Sequence, residues 1–285
     1  MSILNETYTL SNAVTIPKLG LGTWFIDDDQ AADAVRSAIE IGYRNIDTAQ
    51  AYGNERGVGE GVRTSGVARQ ELFVSTKLAA EIKDYGGSVT AINESLAKLD
   101  IGYLDLMLIH APQPWDDFRG GDYADGNRQA WLALEEAHQA GTIHSIGVSN
   151  FLQEYIENIL QGATVAPHVN QLLVHAGNTP TDLIAFCKRN DILVEAYSPI
   201  AHGEILKNPA VQAIADKYAV SVPQLCIRYT LQLGTVSLPK TANPDHMRTN
   251  AEIDFTISAA DMDALQNLHA QDYGQHSAFP VYSGK

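Results

Sequence analysis

The chain has 285 residues, 45% of them hydrophobic and 19% charged, which is enough apolar material for a folded core without disulfide staples. Its formal net charge is -15 and its isoelectric point is about 4.9, so it repels phosphate backbones and anionic lipid, and neither nucleic acid nor a membrane surface is an expected partner. Two cysteines, Cys187 and Cys226, make no C-x-x-C pair and no disulfide framework, as in a reduced, cytoplasmic protein.

The opening MSILNETYTL lacks a basic stretch followed by an apolar one, so no secretory leader is expected. No apolar run approaches the roughly 20 residues of a membrane helix. Short β-rich runs then alternate with helical patterns. Run 19–24 precedes AADAVRSAIEIG (31–42), where Ala31, Val35, Ala38 and Ile39 share one helical face and Gly42 closes it. Runs 45–49 and 72–78 follow. SVTAINESLAKLD (88–100) opens on Ser88 and places Ile92, Leu96 and Leu99 on one face. Run 104–110, LDLMLIH, is almost continuously apolar, as a strand buried in a parallel sheet requires. After runs 145–150 and 168–174, PTDLIAFCKRN (180–190) starts on Pro180 and Thr181 and buries Leu183, Ile184 and Cys187. Runs 193–199 and 236–241 complete the series.

Eight strands alternating with helices, without a break in composition, predict an α/β fold: a (β/α)8 TIM barrel forming a single domain over 1–285. The competing doubly wound sheet normally carries G-x-G-x-x-G when it binds a dinucleotide. The nearest approach here, Gly57–Val58–Gly59–Glu60–Gly61, has the wrong spacing and falls in a predicted helix. Two segments break the alternation. One is the Gly-, Pro- and Asp-rich stretch 111–128, holding Trp115. The other is the tail 269–285, whose Tyr273, Phe279, Pro280 and Tyr282 argue for docking. Both are expected as long walls over the active site.

A barrel enzyme builds its site from the C-terminal ends of its strands. There the sequence places Asp47, with Tyr52 just beyond it, then Lys77 and His110 on the next two strands. A tyrosine hydroxyl can protonate the oxygen of a carbonyl under hydride attack. An ammonium beside it eases proton release, a carboxylate steadies the ammonium, and an imidazole can hold the carbonyl oxygen. Any one of the four alone is better read as an ion pair or a satisfied rim residue; their joint placement on three successive strands points to carbonyl reduction. No metal-ligand cluster is expected.

The surrounding sequence resembles the aldo-keto reductase family. The resemblance is carried by GYRNIDTAQAYGNE (42–55), STKL (75–78), LIH (108–110), IGVSNF (146–151), VNQ (169–171), AYSP (196–199) and LPKT (238–241), in order and at family spacing from the first strand to the last helix. It implies an NADPH-dependent reductase of small-molecule aldehydes and ketones, with NADH as a weaker alternative, working as a monomer. Its catalytic tetrad falls on Asp47, Tyr52, Lys77 and His110. Its cofactor contacts fall on Thr23, Ser149, Asn150, Gln171, Tyr197, Ser198, Lys240, Thr241, His246 and Asn250, and its substrate contacts on Trp24, Tyr52 and His110. Trp24 is equally readable as a core aromatic, and His202 as a cofactor contact or an exposed loop residue. His246 stands where most members carry arginine and Thr249 where glutamate is common, which implies a weakened NADPH preference. The alternatives are a nicotinamide-binding sensor with little turnover, and an unrelated barrel isomerase or hydrolase using Asp47 and His110.

Overall fold

The computed structural model describes residues 2–268 and 272–283. Among them, two short strands, β1 (Thr7–Thr9) and β2 (Thr15–Pro17), form an antiparallel hairpin, and eight more form one parallel sheet. These are β3 (Leu21–Gly22), β4 (Asn45–Asp47), β5 (Phe73–Leu78), β6 (Leu104–Ile109), β7 (Ile143–Ser149), β8 (Val169–Leu173), β9 (Leu193–Tyr197) and β10 (Val236–Leu238). Each pairs with the next in chain order, and bridges Leu19↔Ser237 and Gly22↔Lys240 join the first to the last, closing the barrel. Each of the eight expected runs meets one strand, though β7 begins at Ile143, before the run expected to start at 145.

The helices are α1 (Asp28–Ile41), α2 (Glu55–Arg63), α3 (Tyr85–Leu99), α4 (Ala124–Gln139), α5 (Gln153–Leu160), α6 (Thr181–Arg189), α7 (Pro209–Lys217), α8 (Val222–Gln232), α9 (Pro244–Ala251) and α10 (Ala259–Gln266). None among the described residues is long and apolar enough to cross a membrane. Asp28 and Asp29 sit in the first turn of α1, where the helix dipole favours negative charge. Gly42 ends it at φ 118°, its amide reaching the carbonyls of Ala38 and Ile39. Only glycine takes that conformation without strain.

Helix α3 begins at Tyr85, not at Ser88 as expected. Asp84 is the cap, accepting from the Gly87 amide at 2.7 Å, while Ser88 lies within the helix and donates to the Asp84 carbonyl at 2.7 Å. Aspartate caps as well as serine, and the earlier position adds a turn. Stretch 111–128 is shorter as a loop than expected, because its last residues already belong to α4.

Glycines 57, 59 and 61 line α2 where it crosses α1 and α3. A Cβ on Gly59 would lie 2.0 Å from the Leu99 carbonyl oxygen. Alanine normally gains about 1 kcal/mol over glycine in a helix, but this collision is with backbone and cannot be relieved by a rotamer. Gly59→Ala is expected to destabilise the fold by about 3 kcal/mol, measured by chemical denaturation; a stabilised variant would contradict the close approach.

Strand side chains alternate between the barrel interior and the surrounding helices. Val74, Leu78, Met107 and Ile109 face the helices and join the main core. Phe73, Leu106, Leu108, Val169, Val236 and Leu238 face inward, and Leu10 and Ile16 of the hairpin region pack with them at the bottom. The hairpin thus plugs the N-terminal end of the barrel, leaving the opposite end open. A second cluster, with Ala201, Ile205, Leu225 and Tyr229, takes in Tyr273 and Tyr282 and docks the tail. Residues 269–271, 284 and 285 of that tail lie outside the described residues.

Candidate active site

The inward parity that fills the barrel also aims the polar residues. On β4 and β5 it selects Asp47 and Lys77, just past the end of β6 His110, on β7 Ser149, on β8 Gln171 and on β9 Tyr197. Register keeps them level: Asp47 lies beside Ser75, Ser149 beside Gln171, and Gln171 beside Glu195.

Lys77 is fully buried beneath the floor of the site. Its ammonium donates to Asp47 Oδ1 at 2.8 Å, Asp47 Oδ2 at 2.7 Å and the Thr48 carbonyl at 2.8 Å, and lies 3.4 Å from the Tyr52 hydroxyl. Asp47 also accepts from Ser75 Oγ at 3.1 Å and Gln171 Nε2 at 2.9 Å. Tyr52 enters on a 3-10 turn, Gln50–Tyr52, that Gly53 closes with φ 69°. The expectation that Lys77 eases proton release from Tyr52 does not match the balance found here. Burial first, and the Asp47 charge second, push the phenol well above its ordinary value. Lys77 is largely neutralised by Asp47, so Tyr52 holds its proton firmly.

His110 faces Tyr52 at 5.7 Å between ring centres. Burial, then the charges of Lys77 and Lys83, push its imidazole well below its ordinary value, so it is neutral. Its Nδ1 has no hydrogen-bond partner among the described residues. Above these groups opens a pocket of about 340 Å³, walled by Trp24, Trp115, Phe279, Pro280, Val281 and Tyr282. Trp24 is therefore a pocket wall, stacked 6.2 Å from Tyr52, and Trp115 stands edge-on to His110 at 5.0 Å. The docked tail supplies the last four residues, placing a segment distant in sequence over the site.

A trench of about 800 Å³ continues from the pocket past Thr23, Asp47, Tyr197 and Ser198 to Lys240, Thr241, His246 and Asn250. All fourteen expected catalytic and cofactor residues line the pocket or the trench except Lys77, which lies beneath them. The pocket end is a network of polar groups. Ser149 Oγ donates to the Gln171 carbonyl at 2.9 Å, Asn150 Nδ2 to the His110 carbonyl at 3.1 Å, and the Tyr197 hydroxyl to Asn150 Oδ1 at 2.7 Å. Asn150 and Ser198 hold left-handed backbone, φ 62° and 50°. The Thr23 hydroxyl already donates to the Asp47 carbonyl at 3.0 Å, leaving its lone pairs for the trench. At the far end α9 starts at an Asn243 cap beside Thr241. Arg248 pairs with Asp245 at 3.0 Å and is not among the trench walls, as its helical position implied. His202 lines the trench, stacked 4.2 Å from His276 of the tail, and burial first, then His276, lowers it to about 4.

The sequence reading missed Glu195, a fully buried carboxylate inside the barrel. Its signal was present: an acidic residue in LVEAY sharing the inward parity of Tyr197. It also missed Ala51 and Val281 in the pocket, which nothing in their type or spacing announces.

The sequence model of the aldo/keto reductase family matches residues 18–270. The chain is 39% identical over 271 residues to the glyoxal reductase of Bacillus subtilis, covering 94% of this chain and 95% of that one. Among solved structures, an aldo/keto reductase from Brucella melitensis superimposes with a TM-score of 0.85 at 37% identity, covering 92% and 98% of the two chains. A Bombyx mori aldo-keto reductase in complex with NADP superimposes with a TM-score of 0.83 at 34% identity, covering 97% and 98%. The chain belongs to the aldo/keto reductase family, and it is an oxidoreductase that acts on carbonyl groups.

Proposed function

We propose that the chain reduces small aldehydes and ketones to alcohols with NADPH and that Tyr52 delivers the proton. The observation that carries this is the Tyr52 hydroxyl, 3.4 Å from a Lys77 ammonium clamped by Asp47, at the floor of a pocket it shares with His110. The NADP complex of the Bombyx mori relative and the trench running from that floor both support a nicotinamide dinucleotide as cofactor.

The residues present fit such a group. Ser149, Asn150 and Gln171 offer buried donors and acceptors for a carboxamide, and Tyr197 offers a ring face. Lys240, Thr241 and His246 offer charge and hydrogen bonds for a phosphate, and Asn250 an amide for the base. When bound, a reduced nicotinamide supplies the hydride. The chain does the rest. His110, neutral, donates one N–H to the carbonyl oxygen and fixes its direction. Tyr52, which keeps its proton until charge develops on that oxygen, then gives it up. Lys77 meets the forming phenolate, and Asp47 keeps the lysine charged and in place. The aromatic walls exclude water. One chain supplies both pocket and trench, so the site needs no second copy to be complete.

The small pocket and the glyoxal reductase relative make glyoxal and simple aryl aldehydes the first substrates to test. NADPH absorbance at 340 nm should fall in step with alcohol formed. NADPH binding without turnover across such a panel would contradict the proposal.

His246 in the trench bears on cofactor choice. A single imidazole grips a phosphate less well than a bidentate guanidinium. His246→Arg is expected to raise the NADPH-over-NADH ratio of kcat/KM by about tenfold, roughly one good charged hydrogen bond. An unchanged ratio would remove position 246 from phosphate recognition.

A further inference from the structure

We propose that Glu195 is a positioning residue that fixes the side-chain amide of Gln171 for the cofactor. This rests on the reading of Gln171 as a carboxamide contact. Glu195 lies in register with Gln171 on the neighbouring strand, inside the barrel and fully buried. Gln171 Nε2 sits 2.9 Å from Asp47 Oδ1 and 2.9 Å from Glu195 Oε2. An amide nitrogen carries two hydrogens, and here each meets a different carboxyl group. Turned the other way, the amide would set its oxygen against the Asp47 carboxylate, with no hydrogen between them. The nitrogen therefore points into the barrel, and Oε1 is left for the pocket that Gln171 lines. Remove Glu195 and one buried N–H loses its partner, which weakens the hold on the amide.

The same carboxyl group also faces the Asp47–Lys77 pair. Glu195 Oε1 has no hydrogen-bond partner among the described residues. The charged groups facing it are Asp47 from β4 and Lys77 from β5; β8 presents neutral Gln171, and the register partner on β10 is Val236. Burial, then Asp47, raise the Glu195 carboxyl from 4.5 to about 7.

The test compares Glu195→Gln, Glu195→Leu and Gln171→Leu by NADPH fluorescence titration. Glu195→Leu is expected to weaken NADPH binding by about tenfold, the scale of one lost hydrogen bond. Glu195→Gln, which still presents an oxygen to Gln171, is expected to keep the dissociation constant within about twofold. A merely structural residue would lower folding stability and leave the dissociation constant alone. The proposal is overturned if Glu195→Leu binds NADPH like the wild type while Gln171→Leu binds it poorly; the carboxamide reading then survives. If Gln171→Leu also binds normally, that reading falls with it. Should Glu195→Leu fail to fold, Glu195→Asp, whose carboxyl is one methylene short of Gln171, takes its place, and an NADPH dissociation constant within about twofold of the wild type overturns the proposal.

Discussion

Tyr52→Phe is expected to lower kcat by about 10²–10⁴-fold, the usual contribution of a positioned general acid, and to leave the NADPH dissociation constant within about twofold. The substitution removes one oxygen and keeps the ring, so the contacts with Trp24 and His110 persist. What disappears is the proton, together with the group that meets Lys77. His110 cannot take over the role. Burial and the nearby Lys77 and Lys83 charges hold it in its neutral form, and a neutral imidazole is a poor acid. Steady-state kinetics beside a fluorescence titration check both halves. Turnover within tenfold of the wild type would show that the proton comes from elsewhere, water included.

Lys77→Met is expected to remove turnover and to lower folding stability by roughly 3–5 kcal/mol, the cost of a buried charge left without its partner. Methionine fills much of the lysine volume, so packing contributes little. The cost comes from Asp47, which would lose two charged hydrogen bonds and keep only neutral donors, Ser75 Oγ and Gln171 Nε2. Changing Asp47→Asn in the same chain removes the stranded charge. The double variant should recover much of the stability, read as a denaturation midpoint, and none of the activity. A double variant less stable than the single one would mean that the pair is held for reasons other than charge balance.

The eight barrel strands were readable because burial on both faces leaves near-continuous apolar runs such as LDLMLI, and because polar residues at their ends break that pattern where the site begins. Asp47, Lys77 and His110 stood out for that reason, whereas Gln171 was assigned only through the family resemblance. The hairpin of β1 and β2 did not, since three-residue strands give too little alternation to tell from a loop. The start of α3 was misplaced because Asp84 and Ser88 are comparable caps, and the choice depends on the hydrogen bond Asp84 makes. The tail could be suspected from its aromatics, but its course over the pocket depends on contacts far apart in sequence. The Tyr273 hydroxyl bonds His175 at 2.6 Å and Tyr282 bonds Ser198 at 2.9 Å. The acidity of Tyr52 was misjudged for a related reason. Residue types show that a lysine is near, but not that its charge is already met by Asp47. Glu195 was visible by parity, yet its link to Gln171 needs the register of two strands.

In the proposed reaction a nicotinamide lies with one face toward the pocket and passes hydride to a carbonyl held by Tyr52 and His110. The most direct measurement uses NADPH deuterated at the nicotinamide C4 on one face or the other, with a simple aryl aldehyde and analysis of the alcohol. Deuterium from one face alone is expected on the carbinol carbon, one per NADPH oxidised. Label lost to water, transferred from both faces, or absent from the product would contradict it.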